Sequence, residues 1–338
     1  MSLAVAVAIV MFAGITLYAL FAGADFGGGF WDLFAGSAER GADARALIEH
    51  SVAPVWEANH VWLIFVLVVL WTAFPTAFGP IMSTLAVPLT LAAIGIILRG
   101  ASFAFRKASI PVETRRVFGA VFALSSVLTP FFLGAVVGGV ASGRVPASGT
   151  GSLVHSWLNP TSMLGGALAV VVCAFLAAVY LSADADARHL TKLTDYFARR
   201  AVGAGIVAGA VALCGIAVLH ADAPHLFHHL TGRALPLLVL STAGGLGTLA
   251  LLRAHHLRAA RAAAAVAVVA VLGGWAAGQY PYLIVNEVTI SRGQGAHATL
   301  EALLGCTVVG LVVVGPALGW LLLLARRGVL EEEGPGVG

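Results

Sequence analysis

Apolar runs of about 20 residues recur from one end of this chain to the other, and each is long enough to cross the ~30 Å hydrocarbon core of a bilayer as an α-helix. Nine such spans can be read: Leu3–Phe21, His60–Phe78, Ile81–Leu98, Val117–Val140, Thr161–Ser182, Ala201–Leu219, Ala234–Leu252, Ala262–Tyr280 and Leu303–Leu324. None of the nine contains Asp, Glu, Lys or Arg, as the cost of placing charge in hydrocarbon requires. Backbone groups inside a bilayer must be satisfied within their own segment, so the runs predict helices. Only 10% of the residues are charged, against roughly 25% in a soluble domain, so no separate soluble domain remains to be assigned.

The second and third spans are separated only by Gly79 and Pro80. Residues 60–98 are nevertheless about twice as long as one crossing needs at ~1.5 Å per residue, so two spans are expected. Basic residues mark cytoplasmic loops. With nine crossings, all but Arg144, Arg233 and Arg292 of the 19 Lys and Arg residues fall on one side. This places the N-terminus outside and the C-terminus in the cytoplasm.

The run Leu3–Phe21 lacks the basic flank of a signal peptide and reads as an uncleaved first helix. The formal charge of +3 is spread over short loops without a basic face, which argues against a nucleic-acid partner. Cys173, Cys214 and Cys306 sit inside apolar runs without CxxC pairing and read as packing residues. The glycines at 203, 205 and 209 and at 244, 245 and 247 are expected to let helices pack tightly. Strand signal is confined to loop stretches such as Tyr282–Val285, and the acidic Glu331–Glu333 tail reads as solvated.

Two polar clusters could carry chemistry. The first, Gly23-Ala24-Asp25-Phe26-Gly27-Gly28-Gly29-Phe30-Trp31-Asp32-Leu33, follows the first span and puts two carboxylates at the inner membrane boundary. Its glycines either bring backbone close to a neighbour or form a flexible turn with Trp31 as an interfacial anchor. The second, Ser51-Val52-Ala53-Pro54-Val55-Trp56-Glu57-Ala58-Asn59-His60, leads into the second span. Proline is favourable at a helix start, so the helix is expected to begin near Ser51–Pro54.

Within that helix Glu57 and His60 stand at i, i+3 and are neighbours on one face. A carboxyl removed from water and an imidazole poised near neutrality suit proton handling. The plainer alternative is a hydrated interfacial Glu57 and a His60 bonded to a neighbouring helix. Arg99, at the inner end of the third span, reads as a snorkelling anchor.

A haem held in a helical bundle needs inward His or Met ligands. Only His60 and His220 touch span edges, and only Met11 lies near a span centre, so no haem is expected on this chain's own side chains. His225, His228 and His229 lie together outside, but Asp222 is a weak companion for a metal, and none is expected. The adjacent His255 and His256 read as interfacial polar residues.

Taken together, GADFGGGFWDL and SVAPVWEANHVWLI resemble the signature region of cytochrome bd-type quinol oxidase subunit II. The resemblance continues through Leu98-Arg99-Gly100, with Phe103 and Phe105 ahead of Arg106 and Arg115, and through Leu158-Asn159-Pro160. Beyond that it is mainly topological. It implies an all-α integral membrane protein of nine transmembrane helices in a single membrane domain, residues 1–338. The first four-helix bundle would cover about 1–140, the second about 160–280, a peripheral ninth helix 303–325, and a cytoplasmic tail 326–338.

The resemblance further implies a haem-free subunit in an oxygen-reducing quinol oxidase of the bacterial inner membrane. Haem b and haem d would belong to an obligate partner, subunit I, with quinol as substrate. Small accessory subunits, lipid and quinone are further expected partners. Glu57 matches a family proton-path position that is commonly aspartate, His60 a position that varies among polar residues, and Asp25 the acidic residue of the glycine-rich stretch, which would shape or solvate the cytoplasmic mouth; all three are candidates for the proton path. Two other functions fit less well: a proton-coupled secondary transporter, disfavoured because charges avoid every span, and a purely structural scaffold subunit.

Overall fold

The computed structural model describes residues 2–37, 39–107 and 112–326, without the side chains of residues 53, 54, 56–58, 106, 107, 112–116, 314, 318, 319 and 321–326. It is all-helical apart from one short hairpin. The helices are α1 (Leu3–Leu33), α2 (Ala42–Ala73), α3 (Pro75–Thr84), α4 (Ala86–Lys107), α5 (Val112–Ala141), α6 (Pro160–Ala187) and α7 (Thr191–Asp222). They are followed by α8 (Pro224–Thr231), α9 (Leu235–Arg253) and α10 (Leu257–Gln279). The antiparallel pair β1 (Tyr282–Ile284) and β2 (Val288–Thr289) comes next, then α11 (Ile290–Gly293) and α12 (His297–Arg326).

Among the described residues, 8 helices are long and apolar enough to cross a membrane, and the bent pair formed by α2 and α3 makes a possible ninth. The helices overrun the apolar runs in both directions. At ~1.5 Å per residue, the 31 residues of α1 exceed the hydrocarbon core, and polar residues at interface level do not interrupt helical hydrogen bonding. Hydropathy marks the part of a helix at bilayer depth and says little about where the helix stops.

Two expected boundaries fail for a specific reason. The second span ends at Ala73 rather than Phe78, and the third begins at Ala86 rather than Ile81. Between them α3 turns by 120° from α2. Pro75 has no N–H with which to continue α2, and a residue preceding proline is pushed out of the α region. Phe74 accordingly breaks helical geometry at φ −133° and ψ 56°, and its ring is fully buried. Gly79 and Pro80, expected to divide the spans, lie inside α3 instead. Helix α2 also starts at Ala42, well before Ser51–Pro54.

Side chains cap two of the long helices. Ser2 Oγ accepts a bond from the Val5 amide at 3.4 Å, and Asn159 Oδ1 accepts from the Ser162 amide at 2.9 Å with Pro160 opening α6. Both satisfy helix N-terminal donors that have no partner within the helix. Helix α6 is the most enclosed span and packs against α1, α5, α7 and α10. Its residues Leu176, Ala178 and Val179 pack in one core cluster with Ala201 and Ala260. A second core collects Val7, Phe74, Leu85, Val145, Ile284 and Leu300, where the hairpin folds under the helix ends. Helix α12 packs chiefly on α1 and α2 and is otherwise exposed.

Of the six glycines the sequence suggests for close approach, two make one. Gly203, Gly209, Gly245 and Gly247 face open space, while Gly205 and Gly244 do face other helices. Where α5 crosses α6, a Cβ on Gly134 would strike the Gly165 carbonyl and a Cβ on Gly165 the Gly134 carbonyl. Small residues permit this where lipid supplies no hydrophobic drive. Of the three cysteines only Cys173 is buried; Cys214 and Cys306 are exposed and do not pack in a core.

Candidate functional site: a buried ion-pair junction

Where α1, α2, α4 and α5 meet, charge is buried inside the helical bundle. Asp25 on α1 is 0% exposed and Arg99 on α4 is 1% exposed. Arg99 Nη1 and Asp25 Oδ1 meet at 2.6 Å, and neither atom has another partner. The remaining guanidinium donors are also used. Nε donates to Ser126 Oγ on α5 at 2.8 Å, and Nη2 to the Asp25 backbone carbonyl at 2.7 Å. The guanidinium lies 4.9 Å from the Phe26 ring centroid and 4.6 Å from that of Phe122, both within cation–π range. On the other side of the carboxylate, Asn59 Nδ2 on α2 donates to Asp25 Oδ2 at 3.2 Å.

The glycine-rich stretch makes this junction possible. It is not a turn: it forms the last part of α1, correcting the flexible-turn reading. A residue advances ~100° around a helix, so its glycines serve different neighbours. Gly23 and Gly27, at i, i+4, face α6, where a Cβ would meet Leu176 Cβ at 2.8 Å and Ala177 Cβ at 2.5 Å. Gly28 faces Val52 on α2, and Gly29 faces Ser126 on α5. Gly29 thereby lets Ser126 come close enough to take the Arg99 bond.

Farther along, Trp31 Nε1 donates to the Ala174 carbonyl on α6 at 2.8 Å, a helix-to-helix contact rather than an interfacial anchor. Asp32 is held by Arg45 Nε at 2.9 Å, which fastens the end of α1 to α2.

The structure thus joins the two sequence clusters through Asp25 and Asn59. His60 follows Asn59 on α2 and is half-buried. Glu57 lies on the same helix, at the expected i, i+3 spacing from His60, but its side chain is outside the described residues.

Arg99 corrects the sequence reading most sharply. It does not snorkel, because α4 continues past it to Lys107 and buries it. Asp25 and Arg99 lie just beyond the apolar intervals Leu3–Phe21 and Ile81–Leu98 but within the continuous helices α1 and α4, so the interior of the helical bundle does hold charge. The apolar stretch Gly100–Phe105 is the signal that Arg99 lies within a helix rather than at its end. Asn59 and Ser126 were not singled out; an isolated amide or hydroxyl in a helix carries no sequence signal of its partner.

Metal donors are sparse. Among the described residues no three His, Cys, Asp or Glu side chains are grouped to hold an ion. Met11 packs in the apolar core with Val7 and Val69, and His220 packs edge-on against Phe227. Histidines 225 and 229 face each other on α8 with ring centroids 4.6 Å apart. Burial foremost, and for each a histidine neighbour and Arg233, hold both below the ordinary imidazole range. Asp222, their nearest candidate companion by sequence, is taken by Arg144 Nη1 at 3.0 Å and by Thr161 Oγ1 at 2.6 Å.

Comparison with known proteins places this architecture. Residues 3–325 match the family described as cytochrome bd terminal oxidase subunit II. The cytochrome bd ubiquinol oxidase subunit 2 of Bacillus subtilis (strain 168) is 29% identical over 154 residues, 45% of this chain and 44% of that protein. The putative cytochrome bd menaquinol oxidase subunit II of the same strain is 20% identical over 334 residues, 94% of this chain and 95% of that one.

The cytochrome bd-I ubiquinol oxidase subunit 2 of Escherichia coli (strain K12) is 27% identical over 172 residues, 48% of this chain and 44% of that protein. The first and third of these alignments span less than half of the relative's length. In fold, a chain of the bd oxidase from Geobacillus thermodenitrificans superposes with a TM-score of 0.79 at 24% identity, covering 96% of this chain and 99% of that one. With the family match running over nearly its whole length, the chain belongs to the cytochrome bd terminal oxidase subunit II family.

Proposed function

We propose that this chain is the haem-free second subunit of a quinol:oxygen oxidoreductase in the bacterial inner membrane, and that it supports a haem-carrying subunit I. In this reading α1, α2, α4 and α5 form one four-helix bundle, α6, α7, α9 and α10 a second, and α12 the peripheral helix. The distribution of basic residues puts the N-terminus outside and the C-terminus in the cytoplasm. Haem b and haem d, both in the partner, would supply the electron transfer and oxygen chemistry. Quinone, lipid and small accessory subunits remain proposed partners.

The part given to this chain is delivery of protons from the cytoplasmic side. Glu57 takes up a proton at the inner end of the path, and His60, one helical turn on, shares it. The observation that carries this reading is the bond from Asn59 to Asp25 at 3.2 Å, which ties the Glu57–His60 segment of α2 to the charged, glycine-rich end of α1. Aspartate commonly stands at the Glu57 position in the family, and both residues present a carboxyl, which supports a proton role.

Glu57→Ala in the purified complex tests it. Oxygen consumption should fall about a hundredfold or more, the range for losing a positioned proton-transfer group, with haem content and subunit ratio unchanged. Normal turnover would remove Glu57 from the path. Loss of haem would instead indicate a scaffold role for this segment.

A further inference from the structure

We propose that Asp25, clamped by Arg99, is not a proton carrier but a positioning residue that fixes Asn59 and with it the proton-handling segment of α2. This deepens the reading of Glu57 and His60 given above and rests on it.

Both carboxylate oxygens of Asp25 are committed to partners. One carboxylate oxygen faces the Arg99 guanidinium at 2.6 Å and the other accepts from Asn59 at 3.2 Å. Protonating Asp25 would strip a buried guanidinium of its counter-charge. Arginine cannot release its own proton in compensation. Nor can Arg99 swing away to relieve the strain, since Ser126, the Asp25 carbonyl and the Phe26 and Phe122 rings hold it on every side. A relay must exchange its partners in each cycle, whereas this carboxylate is held on both oxygens by fixed ones.

Asn59 shows what the clamped side chain accomplishes. Its amide could present either end to Asp25, but only Nδ2 can donate to the oxygen there, so that acceptor, which the amide of Asp25→Asn would retain, sets the orientation. Among the described residues the Oδ1 end is then left buried without a protein partner. A buried carbonyl in that condition takes a water molecule as donor. Tyr18 Oη and Thr129 Oγ1 are likewise buried and unpartnered, with Tyr18 packed beside Phe26 and Cys173 and Thr129 beside Gly95 on α4. Asp25 thus fixes an acceptor between Glu57 and His60 in sequence, and any proton-bearing water would be bound by the amide rather than by the aspartate.

A double-variant cycle in the purified complex separates positioning from relay. Asp25→Asn alone should cut both assembled complex and turnover about tenfold, because it leaves Arg99 buried without a counter-charge. Asp25→Asn combined with Arg99→Gln makes the junction neutral and should restore both to within about threefold of wild type, the non-additivity expected of contacting residues. If the double variant assembles with full haem content yet turns over as slowly as Asp25→Asn, Asp25 carries protons and the proposal fails.

Should the double variant not assemble, redox difference infrared spectra decide. Protonated-carboxyl bands identical in wild type and Asp25→Glu support the positioning role, and a band that moves between them overturns it. Adding Glu57→Gln to the rescued background keeps the two ideas apart. A further drop in turnover supports the Glu57 path, and no drop refutes that path while the Asp25 assignment still stands on the rescue itself.

Discussion

Replacing Arg99 with alanine will leave little or no assembled complex in the membrane. The substitution strands the Asp25 carboxylate, 0% exposed, with Asn59 as its one remaining side-chain donor. Removing one partner of a buried pair costs about 3–5 kcal/mol, a large share of the ~5–15 kcal/mol that holds a typical domain folded. It also frees Ser126 and the two phenylalanine rings from the group they surround. Arg99→Lys should be intermediate, since it keeps the charge but cannot reach Asp25, Ser126 and the Asp25 carbonyl at once. Complex yield and thermal unfolding of the detergent-solubilised protein check this. An Arg99→Ala complex of normal yield and stability would mean that the pair contributes nothing to holding α1 and α4 together.

Gly27→Val should be nearly as damaging, through sterics alone. A Cβ at Gly27 would run into the Cys173 carbonyl and stand 2.5 Å from Ala177 Cβ. The obstacle is α6 backbone, which cannot rotate aside as a side chain end could. Overpacking costs about 1–3 kcal/mol at an ordinary core site, and the upper end is expected here because α1 must lift off the most enclosed helix of the fold. Gly203→Val is the control: nothing lies within 4 Å of that position, and assembly should be unaffected. Equal behaviour of the two variants in a yield and thermal-shift comparison would contradict the packing of α1 on α6.

These two residues also show what the sequence could and could not reveal. The helical spans were legible because bilayer thickness imposes a length and a composition on every crossing, and the family resemblance was legible because two short clusters preserve their order. The break at Phe74–Pro75 was missed although Pro75 is a plain breaker, because the apolar run carries on across it to Phe78. Gly79 and Pro80 attracted the boundary instead.

Arg99 was misread because an arginine at the edge of an apolar window has the same hydropathy signature whether it snorkels or is buried. Its distinction lies in a partner on another helix, Asp25, 74 positions away in sequence. The same holds for Asn59 and Ser126, whose meaning depends wholly on which helices are neighbours. Gly27 and Gly203 look alike in sequence, and only the packing says that one touches backbone and the other faces outward.

The most direct test of the account is to purify the complex through a tag on this chain and separate its subunits after recording the visible spectrum. The expected result is a haem-coloured, oxygen-consuming complex in which a second polypeptide accompanies this chain and retains all the haem. This chain purified alone without haem but moving a solute across vesicles, or haem bound to this chain itself, would contradict it.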